Sequence, residues 1–180
     1  MTDETILLEQ LKSENQKEQA FKVLLNLYKE RLYWHIRNIV KSHDDADDVL
    51  QNTFIKVYKN IAGFKGDSKL YSWMYRIATN ESLSFLSKKA KQLQITNEEL
   101  QNTTINNLAS DVYFEGDHIK LKLQQAIASL PEKQQLVFNM KYFEDIKYKD
   151  MAEILETSEG ALKASYHIAV KKIESYLTQD

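Results

Sequence analysis

The chain is expected to be all-α: two small helical bundles joined by a flexible linker, with a helix-turn-helix in the C-terminal bundle. Three observations predict this. Four glycines and one proline among 180 residues are too few for a turn-rich β protein and favour long helices. Apolar residues recur at spacings of three and four through most of the chain, the period of a helix with one buried face. Between residues 92 and 116 that period fades into Asn, Gln and Thr. The chain therefore divides into a domain 1–91, a linker 92–116 and a domain 117–180.

The elements follow in order. Residues 1–16 are polar, with a helix starting around Ile6–Leu11. A clearer helix spans about Lys17 to Lys41, with Phe21, Leu25, Tyr28, Leu32, Ile36 and Ile39 as its core stripe. Ser42 or Asp44 can cap the next helix, whose buried stripe is Leu50, Phe54, Val57 and Ile61. Asp47, Asp48, Gln51 and Asn52 are left outward near its start. Four carboxylates at 44, 45, 47 and 48 exceed what a cap needs, and a docking surface and a solvated face explain them equally well.

The loop Gly63-Phe64-Lys65-Gly66-Asp67-Ser68 lacks the Gly-Lys-Ser/Thr ending of a nucleotide-binding loop. After it, a helix from about Leu70 to Lys91 places Leu70, Trp73, Met74, Ile77, Ala78 and Phe85 on one side. Lys69, Arg76, Asn80, Ser87 and Lys91 share a second side, beside an aromatic belt of Tyr71, Trp73 and Tyr75. Cations neutralise phosphates, amides read base edges and aromatic rings stack on unpaired bases. The row suits DNA, although Trp73 taken alone fits core packing.

In the last section, Ile119, Leu123, Ile127 and Leu130 form one stripe, and Pro131 sits where a new helix begins. Val137 and Met140 continue inward to Tyr142 and Phe143. Two short helices follow, Tyr148–Leu155 and one with the stripe Leu162, Tyr166, Ala169 and Ile173. Helices so spaced around a tight turn match a helix-turn-helix. Ser158 caps the second, and Lys163, His167, Lys171 and Lys172 lie on its exposed face.

Net charge is −2, distributed as +3 in residues 1–91, −4 in 92–116 and −1 in 117–180. Affinity for DNA must come from local patches and is expected to be weak in the isolated chain. No cysteine is present, which removes disulfides and zinc–thiolate sites. His35, His43, His118 and His167 are scattered and share no face with carboxylates at ligand spacing. No catalytic residue, metal, cofactor or small-molecule substrate is therefore expected. With no signal peptide and no apolar run long enough to span a bilayer, the protein is expected to be cytoplasmic and not inserted in a membrane.

With both halves read, the chain resembles the extracytoplasmic-function (ECF) RNA polymerase sigma factors, small two-domain factors of bacterial transcription initiation. The likeness covers nearly everything from Lys17 to Leu177. Asp45-Ala46-Asp47-Asp48-Val49-Leu50-Gln51-Asn52-Thr53-Phe54 is similar to the family's Asp-Ala-Glu-Asp-Leu-Val-Gln-Glu-Thr-Phe. Phe64-Lys65-Gly66-Asp67-Ser68 leads to Ser72-Trp73-Met74-Tyr75-Arg76-Ile77-Ala78-Thr79-Asn80, and Leu130-Pro131-Glu132-Lys133-Gln134-Gln135 precedes Tyr148–Ile173.

The resemblance implies roles for the matching positions. Asp47, Asp48, Gln51, Asn52 and Phe54 would dock on core RNA polymerase. Lys65, Asp67, Ser68 and Lys69 would capture a base flipped from the promoter's minus-ten element. Trp73, Arg76, Asn80 and Ser84 would meet the opening duplex. Ser158, Lys163, Ser165, His167, Lys171 and Lys172 would read the minus-thirty-five element. An anti-sigma factor is a further partner that many relatives have, though no residue here identifies one. Two departures stand out: Glu156 replaces the usual turn glycine, and Ser165, Ile168 and Val170 replace arginines. Read without the resemblance, the pattern also allows a conventional helix-turn-helix transcriptional regulator with an N-terminal sensing domain.

Overall fold

The computed structural model describes residues 3–108 and 118–178, all of whose regular elements are helical. They fall into two compact units, Met1–Ser82 and Leu83–Asp180. In the first unit, α1 (Asp3–Lys12) and α2 (Lys17–Val40) pack together, and α3 (His43–Asn60) packs on α2. A 3-10 turn (Ile61–Gly63) then leads through a loop to α4 (Leu70–Gln92).

Local chemistry explains the breaks. Helix α2 stops at Lys41, whose left-handed backbone (φ 62°) lets its N–H bond the carbonyl of Arg37 at 3.0 Å. Ser42 then caps α3, its hydroxyl accepting from the N–H of Asp45 at 3.4 Å. Leu50, Phe54 and Val57 of α3 are buried, as is Ile61 at the start of the 3-10 turn. The α2 stripe differs from the expectation: Ala20, Leu24, Leu32, His35, Ile36 and Val40 are buried, while Phe21, Leu25, Tyr28 and Ile39 are only half-covered. Two further helices contribute: α1, with Leu7 and Leu11 buried, packs on α2, and His35 meets Tyr75 and Thr79 of α4. Tyr75 also departs from its predicted place in an exposed belt. It is buried, with its ring 4.7 Å from that of His35.

Two of the buried polar groups here, Thr79 and His35, bond in a chain. The Thr79 hydroxyl donates to the carbonyl of Tyr75 at 2.8 Å and lies 2.8 Å from His35 Nε2. A hydroxyl has one proton to give, so His35 Nε2–H is the donor in the second bond.

The second unit holds α5 (Asn97–Asn107), α6 (His118–Ala128), α7 (Glu132–Tyr142), α8 (Tyr148–Leu155) and α9 (Glu159–Thr178). Helix α5 lies inside the stretch expected to be a flexible linker. Thr96 and Glu99 form a capping box at its start, with the Thr96 N–H donating to the Glu99 carboxylate at 2.6 Å and the Glu99 N–H to the Thr96 hydroxyl at 3.1 Å. Leu100 and Leu108 are buried, Leu108 against Ala128. The Gln101 amide donates to the carbonyls of Ala128 and Leu130, and Gln135 donates to the same pair at 3.1 and 2.8 Å. These are carbonyls left over where α6 ends. Residues 109–116 of the expected linker lie outside the described residues.

Ala126, Ile127, Leu130, Phe138, Ala169 and Ile173 form the core of this unit. Pro131 precedes α7 at the capping position instead of entering its first turn. Tyr142 and Phe143, expected to point inward, are 57% and 44% exposed. Phe138 occupies the core position beneath them, stacked on Tyr142 at 5.1 Å and on Tyr166 at 5.8 Å. Among the described residues no helix is long and apolar enough to cross a membrane.

Candidate nucleic-acid and docking interfaces

The start of α3 carries its acids outward. Asp44, Asp47, Asp48, Gln51 and Asn52 are exposed, with buried Ala46, Val49 and Leu50 behind them. His43 Nε2 lies 3.7 Å from Asp47, both side chains largely in water, so their attraction is weak. Phe54 is placed differently from its neighbours in the docking motif: it is buried, edge-on to Phe21 at 6.2 Å. It helps line a groove of about 670 Å³ between α2 and α3, with Leu25, Leu50, Ile55 and Tyr58. Ile55, which sequence reasoning passed over, is 50% exposed there. Its signal was an apolar residue standing four after Gln51, off the buried stripe.

At the end of α2, just before α3, Lys41 is only 8% exposed, with no hydrogen-bond partner for its Nζ among the described residues. Burial and the nearby positive charge of Arg37 lower its pKa to about 7.

The loop between the 3-10 turn and α4 is anchored by Phe64, which is buried with its ring 5.2 Å from that of Trp73. Gly66 takes φ 82°, a left-handed conformation that glycine adopts without strain. Lys65, Asp67 and Lys69 are exposed and Ser68 half-buried, so three charged side chains ring one turn. On α4, Trp73 and Arg76 are half-buried, while Asn80 and Ser84 face solvent. Trp73 packs on Phe64 with part of its surface and keeps the rest exposed.

In the second unit, the Ser158 hydroxyl accepts from the N–H of Ala161 at 3.3 Å and starts α9. Glu156 ends α8 at φ 51°, so the turn forms there without the usual glycine. Lys163, His167, Lys171 and Lys172 are exposed and Ser165 is half-buried. At about 100° per residue these do not share one face. Ala164, Ile168 and Lys171 occupy the middle of the outward side with His167, while Lys163 flanks it on one side and Ser165 and Lys172 on the other. Ile168 is 45% exposed. Lys163 and Lys141 both lie over the Tyr148 ring, at 5.7 and 5.8 Å. Lys141 also bonds Asp145 at 2.8 Å, which raises the lysine pKa and lowers that of the carboxylate. Among the described residues no three His, Asp or Glu side chains gather as metal ligands.

Comparison with known proteins gives two family matches. The model for Sigma-70 region 2 matches residues 24–92, and that for Sigma-70 region 4 matches residues 120–173. The chain is 30% identical over 156 residues to the ECF RNA polymerase sigma factor SigW of Bacillus subtilis, covering 82% of this chain and 83% of that one. It is 28% identical over 183 residues to the ECF RNA polymerase sigma-E factor of Haemophilus influenzae, covering 97% and 95%. In fold it is similar to the sigma factor RpoE of Bartonella quintana, solved with the anti-sigma factor NepR. There the TM-score is 0.68 at 20% identity, over 89% of this chain and 98% of that one.

Proposed function

Because the chain belongs to the ECF sigma factors of RNA polymerase, which direct promoter recognition at transcription initiation, we propose how its residues divide that work. Domain 1–91 docks on core RNA polymerase and opens the minus-ten element, residues 92–116 connect, and domain 117–180 reads the minus-thirty-five element. A sensing domain has no place in this division, since residues 24–92 match Sigma-70 region 2.

Docking falls to Asp47, Asp48, Gln51 and Asn52, with Phe54 as a buried support and the adjoining groove as the apolar part of the contact. What supports this is the exposure of all four polar groups above a packed stripe. Acids on the rim set partner choice and approach rate, and desolvated apolar contact supplies most of the affinity.

Strand opening falls to Lys65, Asp67, Ser68 and Lys69, with Trp73, Arg76, Asn80 and Ser84. Extruding a base costs a few kcal/mol, which a polar pocket matched to the base edges recovers. In α9, Lys163, Lys171 and Lys172 contact phosphates, Ser158 fixes the helix N-terminus near the backbone, and Ser165 and His167 lie at the groove. Ile168 gives the centre of the reading face an apolar surface suited to thymine methyl groups. The protein catalyses no reaction of its own, acts in the cytoplasm and needs no cofactor. An anti-sigma factor is a further partner we infer, prompted by the likeness to RpoE solved with NepR.

The carrying observation is the acid-and-amide end of α3 standing clear of its core. The test is reconstitution with bacterial core polymerase on a library of promoter templates. Transcripts from a defined subset are expected; silence on every template, with the chain folded, would overturn the proposal.

A further inference from the structure

Helix α1 lies before residue 24, where the region 2 match begins. It nevertheless grips the loop of residues 64–69 at both ends. Lys12 Nζ donates to the carbonyl of Phe64 at 2.7 Å. At the far end the Leu70 N–H donates to a carboxylate oxygen of Glu4 at 3.0 Å. Glu4 and Lys12 are eight residues apart, which at about 100° per residue turns their directions about 80° from one another, so they flank one side of α1 about two turns apart. Leu7 and Leu11 between them are buried and hold the helix down.

We propose that α1 is a clasp, in which Glu4 and Lys12 are positioning residues that hold the 64–69 loop in the form that accepts a promoter base. The proposal rests on the reading of this loop given above.

The loop has little packing of its own. Phe64 and Leu70 are buried at its margins, whereas Lys65, Gly66, Asp67 and Lys69 stand in water, and Gly66 leaves the backbone many alternatives. Ordering such a segment costs entropy, and ordering it before the base arrives moves that cost out of the binding step. Both grips are charge-assisted and both act on main-chain groups. They therefore fix the path of the loop through its main chain. Glu4 also sets a negative charge at the first turn of α4, where the helix dipole favours one.

The test uses holoenzyme reconstituted with the full chain and barcoded templates randomised over the minus-ten segment. Base preference is read as enrichment among transcribed templates. The wild type should favour one base at the captured position, and Lys12→Met and Glu4→Ala should each cut that preference by about tenfold, the scale of one lost charged hydrogen bond. Lys12→Arg, which can still donate to the carbonyl, should keep it. Affinity for core polymerase should stay at the wild-type level in all variants, and thermal melting should fall by no more than the few degrees that one lost hydrogen bond costs. Unchanged preference in Lys12→Met and Glu4→Ala would overturn the clasp. So would a loss of preference matched by equal losses of polymerase affinity and melting temperature, which marks general unfolding. If Lys12→Met does not fold, Glu4→Ala decides the matter from the other end. A wild-type holoenzyme that initiates without any base preference would instead refute the reading of the loop itself.

Discussion

Replacing Lys41 with methionine should stabilise the N-terminal unit at neutral pH and flatten its pH dependence. Lys41 is 8% exposed, and its Nζ is buried and without a hydrogen-bond partner among the described residues. Burial first, then Arg37, brings its pKa from 10.5 to about 7. The sign follows from proton counting. Between those two values the unfolded chain holds a proton that the folded chain has released, so stability rises with pH across that window. The penalty is complete below about pH 7 and gone above about pH 10.5. At about 1.4 kcal/mol per pH unit it amounts to about 4–5 kcal/mol at its fullest, and about 2 kcal/mol of it is recovered between about pH 7 and pH 9. Methionine keeps the apolar stem and removes the charge. It meets the same left-handed backbone as lysine, so that strain cancels in the comparison. Both tryptophans, Trp34 and Trp73, lie in this unit, and urea titrations followed by their fluorescence report on it selectively. The variant should unfold at higher urea near pH 7, with its advantage shrinking by about 2 kcal/mol near pH 9. Parallel pH profiles for the two proteins, or a less stable variant, would refute the reasoning.

Asp48→Lys should weaken binding to core polymerase at least about tenfold while leaving the fluorescence-detected melt within about 0.5 kcal/mol; undiminished affinity removes the acidic end of α3 from the interface. Thr79→Val deprives His35 Nε2–H of its acceptor and should cost about 1–3 kcal/mol, read from the same urea titrations. A variant as stable as the wild type would mean that this bond does not matter. Thr96→Ala should destabilise α5 by about 1 kcal/mol, seen as faster amide exchange over residues 97–107. Hydrogen bonds from Thr96 hold the Glu99 carboxyl below its usual pKa. Its contribution is therefore present above the ordinary carboxylate range and lost as pH falls through the lowered value; Thr96→Ala removes the hydroxyl bond but keeps the backbone N–H that is the larger cause, so that acid-side change should shrink and persist.

Much of the fold and some of the site could be read in advance because helix signals are local. The caps at Ser42 and Ser158 lie beside the N–H groups they serve, and α8 runs over Tyr148–Leu155 as its pattern predicted. The stripe of α3 was legible because its apolar positions are all buried while Asp47, Asp48, Gln51 and Asn52 stay outside. Periodicity gives a helix its period but not the identity of what covers it. For that reason the buried arc of α2 was misplaced: α1 packs on this helix, and Tyr75 and Thr79 of α4 meet its His35. Tyr75 and Tyr142 changed places for the same cause: one found His35 to pack against, while the other was displaced outward by Phe138. Residues 97–107 read as linker because they are polar, yet Gln101 and Leu108 find partners at the end of α6. The sequence alone determined where most helices start and stop, α5 excepted, and which ends are acidic or basic, because those depend on neighbours along the chain. Which faces are covered, and that α1 reaches Phe64 and Leu70, was decided only by tertiary structure, since those contacts join residues more than fifty positions apart.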